Sequence, residues 1–260
     1  MIAPDTLFAS DPLRGTYNLD GLDTVVLTTD IDWAPDYATA AVLDLVAAQG
    51  MRITAFATHD SPLLKASTDF VETGLHPDNT RPHPEHRFAR KILELKEIFP
   101  DAVGLRCHRN FFGQNISDLA HAAGLQYDIS TFLWQQPFAQ GYVDYNGLVK
   151  LAYVWEDGIH VDVGESLELG CIRIDTPGLK ILNVHPMLIY LNAPTDHLRR
   201  TLCRGIADLA RVPESHFRDH IHRGYGLRDL YRDLLAELRR RGVRTLFARD
   251  VAALALAGRS

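Results

Sequence analysis

The chain predicts an α/β fold built around a parallel sheet, either open or closed into a barrel. Short β-branched and apolar runs alternate with segments whose apolar residues recur every three or four positions, and the connections between them are short. No internal repeat and no Pro/Gly/Ser-rich linker interrupts that alternation. Of the 260 residues 46% are hydrophobic and 23% charged, and a chain of this length buries roughly 70–75% of its unfolded surface, so one core is feasible without disulfides or a structural metal. A single domain over residues 1–260 is expected.

The elements follow in order. Thr24 to Thr29 (TVVLTT) stops at charged residues, as a buried parallel strand does. After Pro35, the spacing of Ala38, Ala41, Val42, Leu45 and Val46 predicts a helix stopped near Gly50. Ile53 to Thr58 reads as a strand, as does the short run Phe70 to Leu75. Phe88, Ile92, Leu95 and Phe99 mark a helix ended by Pro100, Val103 to Leu105 a strand, and Ile116 to Ala123 a helix stopped by Gly124. Leu148 to Trp155 is extended, Ile159 to Ile174 fits either class, and Lys180 to Val184 (KILNV) is a strand running into His185. Two Arg-rich helices follow. The second carries the core-facing stripe Leu227, Leu230, Tyr231, Leu234, Leu235 and Leu238, and Arg244 to Ala248 supplies a last strand.

Composition excludes several functions. No stretch approaches the ~20 apolar residues of a membrane span. Met1 to Gly21 carries acidic residues and no apolar run, unlike a secretory signal, so a cytoplasmic address is expected. Cys107, Cys171 and Cys203 are odd in number and widely spaced, as reduced thiols are. A net charge of -6 argues against nucleic-acid binding. The charge is uneven, however. Residues 199–249 hold 13 Arg against six acidic residues, which reads as solvated helix faces or as a surface that meets an anionic carrier, phosphate or partner. Neither a Gly-x-Ser-x-Gly elbow nor a Gly-rich phosphate loop is present.

Parallel α/β folds place ligands at the carboxyl ends of their strands. The polar residues there are Asp30 and Asp32, His59 and Asp60, His76, Arg106 and His108, Asp128, and His185. Four strand ends thus bear histidine, whereas His121, His197, His216, His220 and His222 scatter over other segments. Acids and imidazoles converging on one face make the ligand set of a divalent cation, zinc above all. The plainer alternative is that each is a hydrogen-bonded loop residue. Asp30 and Asp32, two apart, leave the same side of an extended chain, so one can bind a cation while the other holds or deprotonates its water; acidic residues also cap helices, and Asp32 or Asp36 can serve as a cap for the following helix.

The ordered set resembles the polysaccharide deacetylase superfamily (NodB-homology, carbohydrate esterase family 4), in particular its WbmS-like branch from O-antigen loci. The resemblance runs from about Thr24 to Asn192. The family's Thr-Phe-Asp-Asp signature is similar to TTDIDW, which puts Asp30 at the catalytic-base position and Asp32 at the metal-ligand position, with one inserted residue that leaves the two roles exchangeable. The second motif, two histidines four apart, resembles GLHPDNT: His76 matches the first, and Thr80 stands in place of the second. The resemblance leaves the missing ligand to His108 in LRCHR, ahead of His59 or His83. Arg106 is similar to the arginine that orients the catalytic Asp, and Asp128 in YDIST to the acid that holds that arginine. NVHPMLIYLN resembles the closing motif and implies His185 as general acid.

The resemblance implies a distorted (β/α) barrel and metal-dependent removal of an N-acetyl group from a sugar or polysaccharide precursor, as in O-antigen biosynthesis. The catalytic residues would be Asp30, His185 and Arg106, with Asp32, His76 and His108 on the metal. Trp33 and His59 are the candidates for substrate contact. Trp33, Phe111, Phe112, Trp134 and Trp155 can stack on sugar rings or serve as packing, and Glu156 with Asp157 reads as a solvated turn. The competing expectation, prompted by Thr80, is a degenerate sugar-binding or scaffold protein of a polysaccharide assembly system.

Overall fold

The computed structural model describes residues 9–11, 16–18, 24–80 and 89–257. Two strands near the start, β1 (Ala9–Asp11) and β2 (Thr16–Asn18), pair antiparallel with each other. The centre is β3 (Thr24–Asp30), buried at all seven positions. Its apolar, β-branched composition requires cover on both faces. Helix α1 (Asp36–Ala48) supplies part of that cover with Ala38, Val42, Leu43 and Val46 buried. β4 (Ile53–Ala57), α2 (Pro62–Ala66), β5 (Val71–Leu75), α3 (Ala89–Ile98) and the two-residue β6 (Gly104–Leu105) continue the alternation. Then come α4 (Gln114–Ala122), β7 (Tyr127–Phe132), β8 (Gly141–Val143), β9 (Val149–Tyr153), β10 (Trp155–Glu156) and α5 (Asp157–Asp162).

β11 (Lys180–Val184) returns to pair in parallel with β3. It is followed by α6 (Pro186–Tyr190), α7 (Asp196–Cys203), α8 (Leu227–Arg240), β12 (Arg244–Thr245) and α9 (Ala248–Ala257). The parallel order β7-β6-β5-β4-β3-β11 is flanked by β9 on one end and β10 on the other. Those two strands are consecutive in the chain, broken only at Val154, whose N–H donates to Ile181 O at 3.0 Å. One interrupted strand therefore touches both ends of the sheet, and the sheet curls into a distorted (β/α) barrel without one continuous ladder.

Three expectations change. Asp128 lies inside β7, not at its end. Arg244 to Ala248 follows β3 only as far as Leu246, whose N–H donates to Val25 O at 3.1 Å, because Ala248 begins α9, where the Asp250 carboxylate accepts from Phe247 N–H at 3.1 Å. The ambiguous stretch Ile159 to Ile174 holds the rest of α5 and a single 3-10 turn, Leu169–Cys171. The stripe on α8 is buried at all six positions, roughly 1.5–3 kcal/mol for each side chain, which holds this strongly charged helix against the barrel.

Candidate metal centre and active site

Each site residue stands at or just past the carboxyl end of a parallel strand. Asp30 ends β3. Ile31 keeps pairing, its N–H donating to Phe56 O at 3.2 Å, and then Asp32 and Trp33 turn through the left-handed region at φ 42° and 56°. Asp tolerates that conformation, whereas Trp rarely adopts it; Trp33 N–H donating to Thr58 Oγ1 at 2.9 Å helps hold the turn. The inserted Ile31 thus separates the two acids. Asp30 points into the barrel and Asp32 across its mouth.

Asp32 meets His76, one residue past β5, and His108, three past β6. Asp32 Oδ1 lies 3.2 Å from His76 Nε2 and 3.2 Å from His108 Nδ1, and the two nitrogens are 3.3 Å apart. A tetrahedral ion with bonds of about 2.0–2.1 Å has ligand atoms about 3.3–3.4 Å apart, so the triangle fits one face of such a site. It fits a hydrogen-bond network poorly: three edges need three protons, and each imidazole nitrogen carries at most one, aimed in one direction. The buried Nδ1 of His76 has no hydrogen-bond partner among the described residues and faces Asp30 Oδ1 at 3.8 Å, the direction in which a metal-ligating imidazole offers its second N–H to a carboxylate. Burial would raise the Asp32 carboxyl, but the contacts with His108 and His76 outweigh it and hold the group well below the usual carboxylate range.

Two further groups flank the triangle. Asp30, 4% exposed, accepts from Arg106 Nη1 at 3.0 Å and from Asn183 Nδ2 at 3.0 Å. Arg106 also donates to Ile129 O and Thr28 Oγ1, both at 3.1 Å, and its guanidinium is sandwiched between the rings of Phe56 and Tyr153, 4.7 and 4.3 Å from their centroids. On the other side, His185 caps α6 after β11. Its Nε2 is 4.0 Å from Asp32 Oδ2 and its Nδ1 is 2.6 Å from Asp157 Oδ1. Asp157 is fully buried and also accepts from the backbone N–H of His185 and of Gly158, each at 2.8 Å. Burial alone would lower the imidazole, but the Asp157 carboxylate, aided by Asp32 and Glu156, raises it to about 10.

Several sequence expectations are corrected here. Asp128 does not hold Arg106: its carboxylate accepts from Ser130 N–H at 2.9 Å and from the buried Lys150 ammonium at 3.3 Å. His59 pairs with Thr58 Oγ1 at 2.9 Å and neither reaches the triangle nor lines the cavity in front of it. His83 lies outside the described residues. Of the aromatic candidates only Trp33 lines that cavity, edge-on to His108 with ring centroids 5.1 Å apart. Trp155 is buried against His160, Trp134 packs on Phe132, and Phe112 lies under the Lys150 ammonium.

The residues that sequence reasoning passed over are Asp157, Glu156, Tyr153 and Asn183. Glu156 is no solvated turn: it accepts from Tyr153 OH at 2.9 Å, that hydroxyl in turn accepts from Asn110 Nδ2 at 2.8 Å, and burial raises the carboxyl. Asn183 did leave a signal, because it sits two residues before His185 and so shares its face of the strand.

No curated protein matches the chain. Among solved structures it is similar to WbmS of Bordetella bronchiseptica, assigned as a polysaccharide deacetylase involved in O-antigen biosynthesis, with 25% identity over 82% of this chain and 90% of that one and a TM-score of 0.67. A family 4 carbohydrate esterase from Bacillus anthracis shares the fold at 12% identity, 91% and 86% coverage and a TM-score of 0.50. The model of the WbmS-like polysaccharide deacetylases matches residues 27–199, a span that contains Asp30, Asp32, His76, Arg106, His108, Asp157 and His185. The chain belongs to the WbmS-like polysaccharide deacetylase family.

Proposed function

We propose that the protein is a metal-dependent hydrolase that removes an N-acetyl group from a sugar during surface-polysaccharide biosynthesis. The observation that carries this is the Asp32, His76 and His108 triangle set between a buried carboxylate and a protonated imidazole. Asp32, His76 and His108 would hold a divalent cation, zinc by the donor set, which would supply a water of lowered pKa and polarise the amide carbonyl. Asp30 takes a proton from the attacking water. Arg106 and Asn183 fix its orientation, and each carboxylate oxygen keeps a further acceptor direction free. His185 gives its proton to the departing nitrogen, because an amide anion leaves too poorly unprotonated. An imidazole raised to about 10 keeps that proton at neutral pH.

A complete triangle favours this reading over a non-catalytic scaffold. His108 supplies the donor for which Thr80 has no equivalent, and Thr80 bonds instead to Asp78. The test is acetate release from N-acetylated sugars by the purified protein, with metal counted by elemental analysis. The proposal expects about one ion per chain, loss of turnover on chelation and recovery with zinc. Protein that binds no divalent ion, and whose melting is unchanged by added zinc, would refute it.

A further inference from the structure

The Arg-rich stretch from Arg199 onward is not accounted for by the hydrolytic machinery, and the structure gives part of it a place. Helix α7 and the loop after it form one wall of the cavity that opens over Asp32 and His185, a cavity of about 1060 Å³. Pockets that enclose whole small-molecule ligands run to roughly 300–1,000 Å³, so this one exceeds the needs of a single sugar ring with its acetamide. Arg204 stands on that wall, and Arg109 lines the same cavity from the turn after β6.

The charge along the mouth does not cancel. Asp196, 4% exposed, is taken by Arg199, whose Nε and Nη2 reach its two oxygens at 2.6 and 3.0 Å, and by Arg200. Asp162 is taken by Arg200 at 2.6 Å and Asp208 by Arg211 at 3.3 Å, while Asp78 accepts from the neutral Thr80 N–H at 3.0 Å, which leaves its charge in the count. Arg109 and Arg204 are exposed and make no ion pair or hydrogen bond among the described residues. Two guanidinium charges, those of Arg109 and Arg204, thus stand along the rim against the single carboxylate of Asp78, in a chain whose net charge is -6. A concave mouth concentrates the field of such a pair where an open surface would dissipate it, and a guanidinium presents a fork of donors matched to phosphate and carboxylate oxygens.

We infer that Arg109 and Arg204 form an anion subsite at the cavity mouth, so that the N-acetylated substrate also carries a phosphate or a carboxylate. This rests on the deacetylase reading for the identity of the sugar, but not for the anion. Arg109 lies within the span 27–199 that matches the family model and Arg204 past it.

The experiment titrates three sugars into the metal-loaded protein by calorimetry: N-acetylglucosamine 1-phosphate, the methyl glycoside of an N-acetylated aminouronic acid, and the uncharged methyl N-acetylglucosaminide. At least one anionic sugar should bind about tenfold or more tightly than the neutral one. The doubly substituted Arg109→Gln/Arg204→Gln protein should lose that advantage with its bound metal unchanged, whereas Arg173→Gln, exposed and outside the cavity lining, should keep it. Preference for the phosphate assigns a glycosyl phosphate, and preference for the uronate a carboxylate on the sugar. Equal affinities, no binding by either anionic sugar, or an advantage that survives the double substitution would overturn the inference. Acetate release in the same samples reads the hydrolysis separately: anion-dependent binding with no acetate formed would sink the deacetylase proposal and leave the subsite standing.

Discussion

Replacing Asp157 with asparagine tests what controls the proton on His185. The Asp157 Oδ1 to His185 Nδ1 distance is 2.6 Å, the acid is fully buried, and the imidazole is raised from 6.5 to about 10 despite the burial that opposes its charge. A raised group loses its proton only as pH climbs through the raised value, so the wild-type donor persists well above neutrality. In Asp157→Asn the carboxylate charge is gone and the imidazole returns toward its ordinary range. Burial, which lowers the imidazole, is then opposed mainly by Glu156, so at pH 8 the protonated fraction drops from nearly all to roughly 3% or less, a loss of ~30-fold or more that shrinks as pH falls toward 6. A bound cation offsets the share owed to Asp32 in both proteins, so the comparison isolates Asp157. The amide oxygen of the substituted side chain can take the place of Asp157 Oδ2 and accept from His185 N–H, while its NH2 in the Oδ1 position leaves Gly158 N–H without its acceptor, so the fold should persist with a stability loss of about 1–3 kcal/mol. The assay is acetate release, as kcat/KM, from about pH 6 to 8 at saturating metal. A variant slower by one constant factor across that range would show that Asp157 does not set the proton on His185.

Substituting His108 with Ala removes one corner of the triangle, and bound metal after gel filtration should fall from about one ion per chain to near none by elemental analysis, with the circular dichroism spectrum unchanged. Arg106→Met leaves Asp30 buried without its cation, so urea unfolding should show a loss of about 3–5 kcal/mol. Arg106→Lys should recover only part of it, because a single ammonium cannot span Ile129 O, Thr28 and Asp30 together. Gly104→Ala places a methyl group 1.8 Å from the Tyr127 ring, which is fully buried and cannot yield; a cost of about 1–3 kcal/mol or more is expected, read as a melting temperature lower by several degrees.

The fold is legible where its signals are local. KILNV is the same strand in sequence and structure, and the α8 stripe is buried residue for residue. What is not legible depends on contacts distant in sequence. Whether Trp155, Glu156 and Asp157 form a surface turn or a buried hinge is decided by β10 pairing with β11, whose residues lie more than twenty positions further along; only that pairing carries Asp157 beneath His185. Asp128 shows the opposite failure. The apolar pattern places a strand end one residue after Tyr127, but β7 runs on to Phe132, so the carboxylate points into the barrel wall and finds Lys150.

If the Asp32, His76 and His108 triangle holds the proposed metal, it explains how a motif defined by spacing along the chain can break while its chemistry survives. Two histidines four residues apart rely on one loop to fold back on itself. Here the second donor comes from the neighbouring strand. β5 and β6 run parallel in register, Leu75 beside Leu105, and they end side by side, so a residue one position past the first and another three positions past the second emerge over the same point. Backbone pairing holds the two strand ends together: Arg106 N–H donates to Leu75 O at 2.9 Å and His108 N–H to Pro77 O at 3.1 Å. The sheet thus fixes the separation of His76 and His108 at least as firmly as a single loop would. On the proposed reading, Thr80 in place of a histidine then costs a donor position without costing a donor, and what marks His108 as the replacement is its place just past a strand end, not a four-residue spacing from His76.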